Sequence, residues 1–173
     1  MKNEHPDREK CLKMLAEYNT PQHVVRHCVA VTDAALKIAG ALMEKGFSFD
    51  LPLITAAGLL HDIARVEDKH WLVGAEFAHM CGYDEEAEII RDHMTHTFNT
   101  DLKDLKELDI VCLADRLVLE DAYVGIDARI EYLIKKINAD KETTDYIMAK
   151  KEITRSLVKN IEKIIGKTIE ELI

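Results

Sequence analysis

The chain has 173 residues, a mass of 19.7 kDa and a net charge of −9, from 23 Lys and Arg against 32 Asp and Glu. That size suits one domain with its own core, and the acidic balance excludes a general binder of nucleic-acid backbone, which needs positive charge to release counterions. With 47% hydrophobic and 32% charged residues, the composition also excludes a disordered chain.

The opening MKNEHPDREK has no apolar core of a secretion signal. The run Leu51–Leu60 has no charged residue but only ten positions, against the ~18 a membrane span needs. The expectation is a cytoplasmic protein without a membrane partner. Cys11, Cys28, Cys81 and Cys112 are scattered, with no CxxC pair, and read as small, mostly buried hydrophobes.

Apolar residues recur at spacings of three and four throughout, and no segment alternates with period two, so the fold class expected is all-α, with seven to nine helices. A first helix is expected over Asp7–Tyr18. A second starts with Thr20 as N-cap and Pro21 at its first position, and carries Val24, Cys28, Val31, Ala35, Ile38 and Leu42 on one stripe until Gly46. Asp50 caps a third, LPLITAAGLLHDIA, apolar nearly all round and therefore central. A fourth spans His70–Met80, and Asp84 caps a fifth, DEEAEIIRDHM, whose acids suit a helix N-terminus. A sixth runs from about Leu102 to Glu120, a seventh from Gly125 to about Ile137, and an amphipathic eighth from Thr143 to Ile165. Thr168 opens a last turn, T-I-E-E, with the form of a capping box. The eighth helix is compatible with internal packing or with a homo-oligomer contact.

Five ligand-type side chains fall on core-facing positions of four helices. His27 sits between Val24 and Val31; His61 and Asp62 close the most apolar helix; His93 follows Ile89 and Ile90; Asp115 shares a stripe with Leu108, Val111, Cys112 and Val118. Singly, each has an ordinary structural reading: a hydrogen-bonded core histidine, or an Asp115–Arg116 ion pair. Together they suggest one shared centre, because a carboxylate is rarely buried unless it is paired or bound to metal. Mixed imidazole and carboxylate donors suit five- or six-coordinate transition ions (Fe, Mn, Co, Ni or Zn, with Mg also admissible), and a structural zinc site would be richer in Cys.

RHCVAV (Arg26–Val31), LLHDIAR (Leu59–Arg65) and LADRLV (Leu113–Val118) resemble the H…HD…D signature of HD-domain metal-dependent phosphohydrolases. The resemblance implies that His27, His61, Asp62 and Asp115 hold one metal in an all-helical domain. It runs from about His23 to Arg129, leaving residues 130–173 as accessory helices of one 1–173 domain. HWLVGAEF, opened by His70, and EIIRDHMTHT, containing His93, are similar to segments of dinuclear HD proteins. That likeness implies a second metal on His70 and His93, with Asp62 bridging. Bacterial symmetrical diadenosine tetraphosphate hydrolases share this layout. The chain departs from them in reading HDIAR where HDxxK is common, in placing Met94 where some relatives carry a second adjacent His, and in having His96 where no ligand is expected.

The chemistry so implied is hydrolysis of a phosphoester or phosphoanhydride in a small nucleotide-type molecule, with Asp62 and His61 at the catalytic centre and water acidified by the ions as nucleophile. Arg65, Lys69, Arg116 and Arg129 are the candidate phosphate-binding cations, Arg being the better fork. His96, three residues after His93, is a candidate ligand or substrate-facing residue. His5, His23 and His79 are expected at the surface or in caps, and Trp71 in the core beside His70. Two other readings stand beside hydrolysis: a dinuclear-iron oxygenase, and a binding or regulatory module that keeps the metal without turnover.

Overall fold

A computed structural model describes residues 4–99 and 101–173. The elements in order are α1 (Arg8–Glu17), α2 (Gln22–Met43), α3 (Leu51–Leu60), α4 (His70–Met80), α5 (Asp84–Asp92), a 3₁₀ turn (Leu102–Asp104), α6 (Glu107–Leu117), β1 (Val118–Leu119), β2 (Ala122–Tyr123), α7 (Gly125–Ile137), α8 (Lys141–Ile165) and α9 (Ile169–Leu172). The protein is all-α, as the apolar spacing implies. Among the described residues, no helix is long and apolar enough to cross a membrane.

Local chemistry sets the boundaries. The carboxylates of Asp7, Asp50 and Asp140 accept from the third backbone N–H of the helix that follows each. Thr168 and Glu171 form the expected reciprocal box at α9. Thr20 departs from expectation. Its hydroxyl donates to Ile63 O at 2.7 Å, so Pro21 takes the cap position and Thr20 ties α2 to the chain after α3. Tyr83 rather than Asp84 precedes α5, and Asp84, Glu85 and Glu86 fill its first turn.

Two longer segments differ from the sequence reading. The third helix ends at Leu60 rather than continuing to Ala64, and residues 61–67 wind through three-residue turns: Ile63 N donates to Leu60 O, Arg65 N to Asp62 O and Glu67 N to Ala64 O. The expected sixth helix divides into the 3₁₀ turn, a break at Leu105 with extended backbone, and α6. It stops at Leu117, and β-branched Val118 enters an antiparallel hairpin in which Val118 pairs with Tyr123 and Leu119 with Ala122.

Two apolar clusters make the core. One joins α2 to α6, α7 and α8 through residues such as Ile38, Leu42, Ile110, Leu113, Leu157 and Ile161. The other joins α1, α3, α4 and α5 through Leu15, Leu59, Leu60, Ile63 and Ile90. Helix α3 contributes to both, with Ile54 and Ala57 in the first and Leu59 and Leu60 in the second. Gly58 allows this, since a Cβ there would lie 2.7 Å from Thr32 Oγ1 on α2. The polar centre forms from residues of both halves.

Candidate metal centre

His27 projects from the second turn of α2, Asp115 from α6, His70 from the first residue of α4, and His61 and His93 from the C-terminal ends of α3 and α5. Helix ends leave carbonyls without intrahelical partners. His61 Nδ1 donates to Gly58 O at 2.8 Å, and His93 Nδ1 to Ile90 O at 2.7 Å. His27 Nδ1 donates to Glu120 O at 2.7 Å. In all three rings the backbone thus takes the Nδ1 proton and leaves Nε2 facing inward as the donor atom for a ligand.

The donor atoms gather into two triads, each within 4.8 Å: His27, His61 and Asp115, and Asp62, His70 and His93. His27 Nε2 is 3.1 Å from Asp115 Oδ1, and His61 Nε2 is 3.9 Å from the same oxygen. Asp62 lies between the triads. Its Oδ1 is 3.0 Å from His70 Nε2 and 3.7 Å from His93 Nε2, and its Oδ2 is 3.8 Å from His61 Nε2. His61, Asp62, His70 and His93 are buried, while Asp115 and His27 are half-buried.

The electrostatics favour charged carboxylates beside donor imidazoles. Burial works to raise the Asp62 carboxyl, but His61, the hydrogen bonds to His70 and His93, and the Arg65 guanidinium hold it well below the usual range. Burial also opposes ionisation of Asp115, and the hydrogen bond to His27, with the neighbouring His61 imidazole, overcomes it. Burial pushes His61 down, toward its neutral, ligating form. His27 and His93 are raised in spite of burial, through Asp115 and Asp62 respectively. The buried His61 Nε2 has no hydrogen-bond partner among the described residues. An orphaned buried acceptor is costly in a native protein unless something fills it. Two ionised carboxylates and this inward lone pair fit a divalent ion with mixed N/O preference.

Of the candidate cations, the structure brings Arg65 to the centre, with Nε 3.4 Å from Asp62 Oδ2 and Nη1 3.2 Å from His70 Nδ1. Arg116 is committed elsewhere: it donates to the carbonyl of His96 and to Thr154 Oγ1 at 3.3 Å, and covers the Phe98 ring at 4.2 Å. Lys69 is exposed and serves α4 through its backbone, whose carbonyl accepts from Leu72 and Val73. Arg129 buries an Nε without a partner among the described residues, outside both triads.

His96 also lies outside the triads, its Nε2 held 2.7 Å from Asp109 Oδ1. The reason is that α5 ends at Asp92, so three-residue spacing no longer keeps it on the face of His93. Trp71 is half-buried and packs edge-on to His70 at 5.3 Å. His23 is exposed and His79 pairs at the surface with Asp84. His5 does not stay at the surface. Its side chain is 7% exposed, with Nδ1 2.7 Å from buried Glu86 and Nε2 near Glu85 and Asp50. Sequence reasoning also missed the orienting carbonyl of Glu120, since a backbone acceptor in a turn leaves no residue-type signal.

The family model of the HD domain matches residues 24–119, and the chain belongs to that family, whose members generally are metal-dependent phosphohydrolases. An uncharacterized protein of Methanocaldococcus jannaschii is 29% identical over 167 residues, covering 87% of this chain and 98% of that protein. A tRNA (cytidine(56)-2′-O)-methyltransferase of Thermoplasma volcanium is 32% identical over 93 residues, and one of Picrophilus torridus 30% over 95 residues. These alignments cover 51% and 53% of this chain but only 26% of each methyltransferase. No solved structure matches the chain.

Proposed function

We propose that this protein hydrolyses a phosphoester or phosphoanhydride in a small nucleotide-type molecule. The observation that carries the proposal is Asp62, which belongs to one donor triad and turns its other oxygen toward His61 of the second, with Arg65 beside it. On this reading His27, His61 and Asp115 would hold one divalent ion and His70 and His93 another, with Asp62 within reach of both. When bound, such ions supply Lewis acidity toward phosphoryl oxygens and lower the pKa of coordinated water.

The chain's own residues do the rest. The backbone carbonyls of Glu120, Gly58 and Ile90 fix the ring orientations. Burial of His61, His70 and His93 keeps bulk water from competing for the centre. Arg65, 44% exposed at its side chain, is the cation able to reach both the centre and a phosphate arriving from solvent. The charge of −9 favours a small anion met locally by Arg65 over a long nucleic acid.

The test is release of phosphate or nucleotide from diadenosine polyphosphates, nucleoside mono- to triphosphates and cyclic phosphates, with Mn, Co, Fe or Zn supplied. Turnover should fall about 100-fold or more in folded His61→Ala and Asp62→Ala variants. Oxygen consumption with iron and no phosphate release would move the assignment to an oxygenase. Tight nucleotide binding without turnover under any metal would make the protein a binding module.

A further inference from the structure

Arg26 and His27 are consecutive on α2, and each grips one of the two consecutive residues that turn the β1–β2 hairpin. Arg26 Nε lies 3.2 Å from Asp121 Oδ2, and His27 Nδ1 donates to Glu120 O at 2.7 Å. The hairpin is rooted in the core by buried Val118 and closed at its base by Val124 N, which donates to Leu117 O at 2.9 Å. The Glu120 carbonyl is therefore an acceptor held in place from both strands.

The position of His27 explains why such an acceptor is needed. His61 and His93 sit at helix ends and use carbonyls three residues back, which the helix has left free. His27 is inside a 22-residue helix, where the preceding carbonyls are taken up by the ladder. Its orienting carbonyl has to come from another part of the chain, and the hairpin brings it from 93 residues away.

The backbone at this point is strained. Glu120 has φ +54°, in the left-handed region that a tight two-residue hairpin turn demands at its first central residue. Among the described residues, the non-glycine positions with positive φ are Asn19, Lys69, Glu120 and Asn138. Asparagine tolerates that region, whereas lysine and glutamate have no such allowance. Both of these two border an assigned ligand: Lys69 directly precedes His70, and the Glu120 carbonyl holds His27. Retained strain of this kind concentrates where geometry has a task. The Glu120 side chain is exposed, so its influence on the centre runs through the backbone.

We infer that the Glu120–Asp121 turn is a positioning device for the first metal ion. Glu120 O fixes His27 with Nε2 toward Asp115, and the Arg26–Asp121 pair anchors the turn against α2. The inference rests on the metal-centre reading above and concerns positioning residues that touch neither ion nor substrate.

The test is titration of the metal-free 173-residue protein with Co(II), followed by visible absorption, with the two steps assigned using His93→Ala. Glu120→Gly keeps the carbonyl and tolerates positive φ, and should leave both affinities within about threefold. Glu120→Val disfavours the left-handed backbone and should weaken the first ion about 10- to 100-fold while leaving the second within about threefold. In zinc-loaded protein, the His27 Nδ1–H resonance should persist in Glu120→Gly and exchange rapidly in Glu120→Val. Should Glu120→Val not fold, the exposed pair supplies the second variant: Asp121→Ala should weaken the first ion about fivefold, beyond the threefold band taken as unchanged, and the exchanged pair Arg26→Asp with Asp121→Arg should restore it. A purely structural turn would lower melting temperature with an unchanged ratio of the two constants, which overturns the inference alone. A wild-type protein that takes up no Co(II) overturns both the inference and the function it rests on.

Discussion

Asp62 and His70 meet at 3.0 Å, carboxylate to imidazole, although His70 opens a helix that begins after a loop of three-residue turns. The same carboxylate turns its other oxygen to His61, 3.8 Å away in the first triad. Removing Asp62 therefore damages both triads at once, whereas each histidine serves one. Asp62→Ala should abolish uptake of both ions; His27→Ala and Asp115→Ala should abolish the first; His70→Ala and His93→Ala should selectively weaken the second, by about 10- to 100-fold. Elemental analysis of protein purified without a His-tag or added metal, with titration of each variant, gives the answer. Equal loss of both ions in all five variants would refute the division of ligands.

Gly58 connects helix packing to this centre. A Cβ at position 58 would meet Thr32 Oγ1 at 2.7 Å and Thr32 Cα at 3.3 Å, so α2 backbone as well as a hydroxyl must give way. Gly58→Ala should cost about 1–3 kcal/mol in urea unfolding. The Gly58 carbonyl also orients His61, so first-ion affinity should fall in the same variant.

The cysteines offer a test of burial. Cys11, Cys28 and Cys112 are buried and Cys81 is exposed. Burial, with Glu86 and Asp7 nearby, pushes the Cys11 thiol up to about 12, and burial raises Cys28 and Cys112 as well. A thiol-disulfide reagent at pH 8 should therefore titrate one rapid equivalent in native protein and four in denaturant. Cys81→Ser should remove the rapid phase.

Acid should loosen the contact between α7 and α8. Asp127 lies 2.6 Å from Lys151 Nζ and 2.5 Å from Arg155 Nη2, and the Lys151 hydrogen bond leads the effects that hold its carboxyl below the ordinary value. A carboxylate depressed in the folded state contributes stability that is fully present above its unfolded pKa, near 4, and is lost as pH falls through the native value. Asp127 is 63% exposed at its side chain, so its contribution at pH 7 should be no more than about 1 kcal/mol. Urea unfolding of Asp127→Asn should differ from wild type by about that amount at pH 7, and the difference should shrink below pH 4.

Residues whose roles follow helical period were legible in the sequence, and those whose roles depend on chain reversal were not. His27 stands out because Val24 and Val31 place it on a buried stripe, and the helix does run unbroken there. Arg116 follows a ligand directly, yet neighbours on a helix diverge by about 100°, so it reaches Thr154 and Phe98 instead of the centre. His96 lies past the end of α5, where the helical period that places His93 no longer applies. His5 precedes any periodic segment, and its partner Glu86 lies 81 residues away. The hairpin was hidden because LADRLVLEDAYV reads as helix until Val118 turns extended and Glu120 takes a conformation that glutamate seldom adopts.

His27 and Asp115 are 88 residues apart in the chain and 3.1 Å apart in space. Any ion held by both would be a cross-link closing a loop of that length, in a protein whose four cysteines are all free. In simple loop-closure models a link of this span removes about 4–5 kcal/mol of unfolded-chain entropy, as a disulfide would. Helices α2 and α6 would then be stapled by a bond that chelation opens and metal restores. Loss of the ion would leave such a chain as vulnerable as reduction leaves a secreted protein.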